Sequence, residues 1–267
     1  MKNFLVFLLC VLLLSKCEKT TTQAALQSIS AVGIISESPI IAKQTQLKKE
    51  IPVLCYHNFT ENKNTDITLS RHTFEEQIKS LLDSGYHCIL PDQLYQYLTT
   101  STVLPPKPIM ISFDDSRLTQ YTIAAPLLEK YGFKGVFFIM TVCVNKPNYM
   151  SSTMLNDLAT RGHIIAAHTY DHPNVEDIKS SQWPMEIKEP KIFLENVIHN
   201  CVNYFAYPYG PWTIESIAQL KKYNYKAAFQ LDGKQSIKDS VFTIRRLMVQ
   251  GHWSIATLHE KIAKTFH

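Results

Sequence analysis

The chain has 267 residues, 45 % of them hydrophobic and 19 % charged, a size and balance ordinary for one large α/β domain or two small ones. Its net charge of +4 is too mild to point to nucleic acid, and no basic run stands out beyond the extreme N-terminus, so no nucleic-acid partner is expected.

The first segment reads as a leader. Met1-Lys2-Asn3 is followed by the unbroken apolar run FLVFLLCVLLL, Phe4 to Leu14. That run is too short for a spanning helix, which needs about 20 residues, and it fits the apolar region of a signal peptide. Leu14-Ser15-Lys16-Cys17 resembles a bacterial lipobox with Cys17 as the lipid-accepting residue, and departs from it at Lys16, where Gly, Ala or Ser is usual. Residues 1–17 are therefore expected to be a signal peptide of lipoprotein type, with an uncleaved anchor or simple secretion as alternatives. The expected location is the periplasm or cell surface, held to the membrane only through lipid at Cys17, or otherwise secreted. Residues 18–50, rich in Thr, Ser, Gln, Lys and Ala without a sustained period, read as a flexible linker. The folded domain is expected over 51–267.

From Ile51 onward apolar runs alternate with helix-like stretches. Strands are expected at Pro52–Tyr56, His87–Leu90, Ile109–Phe113, Val136–Met140, His163–Ala167, Tyr204–Tyr207, Tyr225–Gln230 and Val241–Arg245. Helices are expected at Thr73–Ser84 with Thr73 as cap, Asp92–Leu98, Tyr121–Tyr131, Ser152–Arg161, Glu186–His199 interrupted by Pro190, Thr213–Tyr223 and Ser254–Thr265. Strands alternating with helices imply parallel pairing, and their number implies a distorted (β/α) barrel of seven or eight parallel strands. Cys55 and Cys88 fall in strand-like runs and read as small core residues. No CxxC pair offers a thiolate zinc site.

In such barrels the chemistry sits where strands end. Here the strand ends carry Tyr56-His57, Asp114-Asp115, His168 with His172 four residues on, and Tyr207-Pro208-Tyr209-Gly210. Adjacent carboxylates repel, and a poorly solvated pair must hold a proton unless a cation answers the charge. His168-Thr169-Tyr170-Asp171-His172 places two imidazoles four apart, and two histidines with one carboxylate form the ligand set of a hydrolytic zinc site. One aspartate would ligate while the other accepts a proton from water. Successive strand side chains point to opposite faces, so the chain must turn at the aspartates for both to serve one site.

Phe113-Asp114-Asp115, His168-Thr169-x-x-His172 and a Pro-Tyr-Gly turn after a strand resemble the polysaccharide deacetylases of carbohydrate esterase family 4, the NodB-homology domain, over nearly all of 51–267. The resemblance implies Asp114 as general base, and Asp115, His168 and His172 as metal ligands. It also implies Zn²⁺, with Ni²⁺ or Co²⁺ able to serve, and an oxyanion-binding turn at Tyr207, Pro208 and Tyr209 through the Tyr209 N–H. Departures from the family pattern are Ala206 where the third motif has an arginine, the lack of a clear Leu-x-x-His near the C-terminus, and Ser116 where glycine is usual. The first two are similar to the subgroup acting on poly-β-1,6-N-acetylglucosamine, whose permuted order puts the general acid in a Tyr-His pair, here His57. Arg245 or Arg246 could stand in for the missing arginine, and Trp253 or Trp183 could stack on a sugar. The implied activity is metal-dependent hydrolysis of N-acetyl groups, with release of acetate, from an N-acetylated amino-sugar polysaccharide or oligosaccharide, poly-β-1,6-N-acetylglucosamine or a chitin- or peptidoglycan-like polymer. The alternatives are a deacylase of O-acetylated glycan or of a non-sugar amide, and a non-catalytic glycan-binding protein on the same scaffold.

Overall fold

A computed structural model describes residues 48–231 and 233–266. The leader, Cys17 and nearly all of the linker lie outside the described residues. Among those described, no helix is long and apolar enough to cross a membrane.

In chain order the elements are β1 (Val53–Tyr56), β2 (Asn58–Thr60), β3 (Thr68–Ser70), α1 (Arg71–Asp83), β4 (His87–Cys88), α2 (Pro91–Thr99), β5 (Pro108–Phe113), α3 (Ala125–Lys130), β6 (Gly135–Ile139), α4 (Ser152–Thr160), β7 (Ile164–Ala167), α5 (Glu189–Ile198), β8 (Tyr204–Ala206), α6 (Ile214–Lys222), β9 (Ala227–Phe229), β10 (Leu247–Met248) and α7 (Ile255–Phe266). The sheet runs β10-β1-β5-β6-β7-β8-β9, with β4 added beside β5. Every one of its pairings is parallel, as in Val53↔Met110 and Cys55↔Ser112. It curls into a half-barrel, and the chain at 244–248 spans the gap. Ile244 exchanges backbone hydrogen bonds with Ala228 and Gln230 beside β9 (3.1 and 2.8 Å), and Leu247 then pairs with Leu54 of β1.

The period of two sorts the core into faces. Leu54, Ile111, Phe113, Phe137, Ile165 and Phe205 pack outward under helices, meeting Ile78 and Leu81 of α1, Leu155 of α4, Leu194 of α5, Leu220 of α6 and Ile262 of α7. Val53, Met110, Val136, Phe138, Ala166, Tyr204 and Phe229 fill the other, inner face. Continuing the inner-face alternation toward the strand ends gives Cys55 and His57, Ser112 and Asp114, and His168. The inner face is thus apolar at its base and polar at its C-terminal rim.

The structure departs from expectation in several places, beyond strands shorter than expected at His87–Cys88 and Ala227–Phe229. Helix α1 starts before Thr73, because the extended Ser70 accepts the Thr73 N–H (3.1 Å) and takes the cap. The small pair β2–β3 lies outside the main sheet. The helices expected from Tyr121 and Glu186 open instead with π-helical turns, Gln120–Ala124 and Pro184–Lys188, and Pro190 does not interrupt the second, which runs on from its π-turn into α5. The last strand is not Val241–Arg245. Ser240–Phe242 is a 3₁₀ turn, held by the Thr243 hydroxyl accepting the Ser236 N–H (2.9 Å) and donating to the Asp239 carbonyl (3.1 Å). Such side-chain bonds compete with strand pairing, and Leu247–Met248 takes the place beside β1.

Candidate active site

Asp114 leaves β5 on the inner face. Its N–H donates to the Tyr56 carbonyl (3.0 Å), and its carboxylate is 2 % exposed. Arg246, equally buried, grips it with two parallel bonds, Nη1 to Oδ1 at 2.6 Å and Nη2 to Oδ2 at 2.8 Å. Burial alone would raise the Asp114 pKa, but the Arg246 charge outweighs it, with His168, the Arg246 hydrogen bonds and His57 acting the same way, and holds the carboxyl below the usual range. The Cys55 thiol donates to Oδ2 (3.4 Å), and Gln120 ties the two strand ends by donating to the carbonyls of His57 and Asp114.

The chain turns at the second aspartate. Asp115 and Ser116 both take left-handed backbone, φ 76° and 61°, which swings Asp115 back toward the inner rim. Ser116 tolerates glycine's usual place because its hydroxyl accepts the Met140 N–H (2.9 Å); short polar residues that bond locally visit this region more readily.

His168 follows β7. Its Nδ1 sits 2.8 Å from the Ala206 carbonyl and so donates to it, leaving Nε2 with its lone pair. That Nε2 is buried and has no hydrogen-bond partner, yet it faces Asp114 Oδ2 at 3.8 Å and Asp115 Oδ1 at 3.9 Å. Burial pushes the His168 pKa down to about 4. A tight turn, with Thr169 at φ 63° and His172 at φ 70°, brings the His172 ring 4.8 Å from the His168 ring and its Nε2 to 3.6 Å from Asp115 Oδ1. The Thr169 hydroxyl closes this turn by accepting the His172 N–H (2.9 Å).

One ligand atom each from Asp115, His168 and His172 lie within 4.8 Å of one another. Two imidazoles and a carboxylate fit a divalent cation, and the buried, partnerless Nε2 of His168 is the atom such an ion would satisfy. His57 is half-buried, its Nδ1 is buried without a partner, and it groups with Cys55 and Asp114 within the same 4.8 Å limit.

The turn after β8 divides its roles. Tyr207 is fully buried and its hydroxyl donates to the Phe242 carbonyl (3.0 Å), and Pro208 is buried too. Tyr207 and Pro208 thus shape the turn from within the core, and only the Tyr209 side chain reaches the surface. Tyr209 is 64 % exposed, adopts φ 61° and lays its ring 4.5 Å from that of His172. Gly210 is required, since at φ 104° a Cβ would meet Leu231 at 2.9 Å.

Of the two arginines, Arg245 turns away and binds Glu50 through Nε (2.8 Å) and Nη2 (2.6 Å); only Arg246 reaches Asp114. Trp183 is 1 % exposed, with its indole N–H on Glu215 (2.8 Å), so it offers no face to a sugar. Trp253 is half-buried on the helix-side core, with its N–H on Gln250 (2.9 Å) and the Lys261 ammonium over the ring at 5.9 Å; packing accounts for it. Cys55 and Gln120 are contacts that sequence reasoning passed over. Cys55 has a signal in period two, two residues before His57, whereas Gln120 has none.

Residues 102–228 match the family model of polysaccharide deacetylases. The chain is 25 % identical over 207 residues to a putative polysaccharide deacetylase of Bacillus subtilis, covering 77 % of this chain and 74 % of that one. It is 26 % identical over 188 residues to the poly-beta-1,6-N-acetyl-D-glucosamine N-deacetylase of Staphylococcus aureus, covering 65 % of this chain and 64 % of that relative's length. Among solved structures, the Streptococcus pyogenes deacetylase PplD in complex with acetate superposes with a TM-score of 0.74 at 22 % identity, over 81 % of this chain and 99 % of that one. IcaB from Ammonifex degensii gives 0.70 at 22 %, over 81 % and 98 %. The solved structures establish the fold, and the family model marks residues 102–228, from just before β5 into β9, as similar to polysaccharide deacetylases.

Proposed function

We propose that the protein is a metal-dependent hydrolase that removes N-acetyl groups from an amino-sugar polysaccharide, poly-β-1,6-N-acetylglucosamine being the preferred candidate. The observation that carries this reading is the buried His168 Nε2, which has no partner and faces Asp115 and His172 beside an arginine-locked Asp114. The likeness to the Staphylococcus aureus relative supports the choice of polymer.

Asp115 Oδ1, His168 Nε2 and His172 Nε2 would hold the cation, and this donor set suits zinc. When bound, it supplies Lewis acidity toward an acyl carbonyl and acidifies water. Arg246 keeps Asp114 ionised, so its carboxylate accepts the proton of the attacking water. Its strong pairing makes it a weak base, which suffices only where the water is already acidified. The Tyr209 N–H, for which no acceptor is found among the described residues, would hold the developing oxyanion. His57 gives a proton to the departing amine nitrogen, so one amide and one water become acetate and a free amine. The leader sequence supports an exported chain, tethered through lipid at Cys17.

Acetate release from poly-β-1,6-N-acetylglucosamine and from chitin oligomers, with and without chelator and added zinc, tests the reading. Chelator-sensitive release from the β-1,6 polymer is expected. Zinc uptake without release from either polymer would move the substrate to O-acetylated glycans or non-sugar amides. Neither uptake nor release would leave a glycan-binding protein on this scaffold.

A further inference from the structure

Glu186 is a carboxylate only 5 % exposed, yet it has no cationic partner among the described ion pairs. It sits in the π-helical turn Pro184–Lys188, a feature that often re-aims a side chain at a functional site. Its carboxylate accepts the Tyr170 N–H through Oε2 (3.1 Å) and also meets Asp171 at its N–H and carboxyl. Those residues lie in the middle of the turn from His168 to His172.

Within the turn, the Thr169 hydroxyl accepts only the His172 N–H, so its middle relies on partners from elsewhere in the chain. Two of its non-glycine residues are left-handed, and the Tyr170 N–H between the histidines is taken up by Glu186. Its carbonyls are held on the other side, where Thr141 N–H reaches Thr169 (3.4 Å) and Val142 N–H reaches Tyr170 (2.9 Å). The platform carrying Glu186 is itself anchored twice, by the Trp183 indole N–H on Glu215 (2.8 Å) and by the Tyr225 hydroxyl on the Ile187 carbonyl (3.0 Å).

We infer that Glu186 is a positioning residue for the cation site: by accepting the backbone N–H groups of the His168–His172 turn it fixes the spacing of the two imidazoles and so sets the metal affinity. It touches neither substrate nor metal. The inference rests on the metal reading of Asp115, His168 and His172, and deepens it. Groups that orient metal ligands commonly change affinity 10–100-fold when removed, and a similar loss, about 10–100-fold, is expected here.

The test is the zinc dissociation constant of the full chain, measured by competition with a chromophoric chelator, alongside the melting temperature without metal. Glu186→Ala and Glu186→Asp, the second too short to reach the Tyr170 N–H, should both weaken zinc binding by about 10–100-fold. Glu186→Gln keeps an acceptor oxygen at the same reach and should bind within about threefold of wild type. Because Glu186→Asp retains the charge, the Asp and Gln variants decide the matter even where Glu186→Ala does not fold. Unchanged zinc affinity in folded Glu186→Asp, whatever its melting temperature, would overturn the inference and leave Glu186 a fold residue. A Gln variant as weak as the Asp variant would overturn the acceptor role in favour of charge. A wild-type chain that takes up no zinc would sink the functional reading itself, a result distinct from both.

Discussion

Two buried histidines stand at opposite ends of β7, His163 before it and His168 after it. They are 2 % and 1 % exposed, and burial pushes both pKa values down to about 4. His163 is complete: Nδ1 accepts the Gly135 N–H at 2.9 Å, and Nε2 meets Glu129 Oε1 at 3.0 Å, which Arg161 and Lys134 also contact. His168 is complete on one nitrogen only; the other faces two carboxylates with no hydrogen bond to either. Burial and a depressed pKa are therefore common to a packing residue and a site residue. The missing partner is what separates them, because a buried polar atom left alone in a folded protein calls for an explanation.

The sharpest way to break this contrast is to remove each ring. His168→Ala should abolish both zinc uptake and acetate release, whereas His163→Gln should keep both; equal loss in the two would erase the distinction. Next in size is Asp114→Asn, expected to lose about 10²–10⁴-fold in turnover while still binding zinc, as isothermal titration would read. Arg246→Leu should act on the same carboxylate from behind. It strands a buried charge, a change that typically costs about 3–5 kcal/mol, so urea unfolding should show a large loss alongside reduced turnover. His57→Ala sharpens the assignment on the amine side. Amide hydrolysis should fall steeply, while an aryl acetate, whose leaving group needs no proton, should be cleaved at nearly the wild-type rate. Equal losses on both substrates would assign His57 to something other than proton donation.

Much of this site could be read from the chain because strand ends are marked by composition. Asp114, Asp115, His168 and His57 lie at the ends of apolar runs, with His172 four residues beyond His168, and a parallel barrel sends all such ends to one rim. The turn at Asp115 was foreseeable too, since alternation forbids two adjacent residues from facing inward. Other features depend on tertiary position. Nothing local distinguishes Arg245 from Arg246: they point to opposite sides, and the strand expected to end at Arg245 proved to be a 3₁₀ turn followed by a shifted β10. Trp183 looked like a sugar platform beside the histidines, but its indole reaches Glu215 on α6, a partner 32 residues away. Glu186 sits in a π-helical turn, whose extra residue no 3.6-residue period reveals.

The smallest expected effect lies at the other end of β7 and concerns stability alone. The folded pKa of His163, about 4, lies below the unfolded value of about 6.5, so the unfolded chain binds more protons between the two. Stability is then flat above about pH 6.5, falls as pH drops toward about 4, and levels off once both states are charged. Protonation also forfeits the Gly135 hydrogen bond, because Nδ1 can no longer accept it. Glu129, whose own pKa is lowered within this network, loses stabilisation in the same direction but at the lower edge of the window. Urea unfolding should therefore show a drop of about 2 kcal/mol from His163 between pH 7 and pH 5, and His163→Gln should flatten that segment while leaving the Glu129 limb below it. A slope unchanged by the substitution would mean that the ring is hydrated in the folded chain, and that its completeness, unlike the gap at His168, is only apparent.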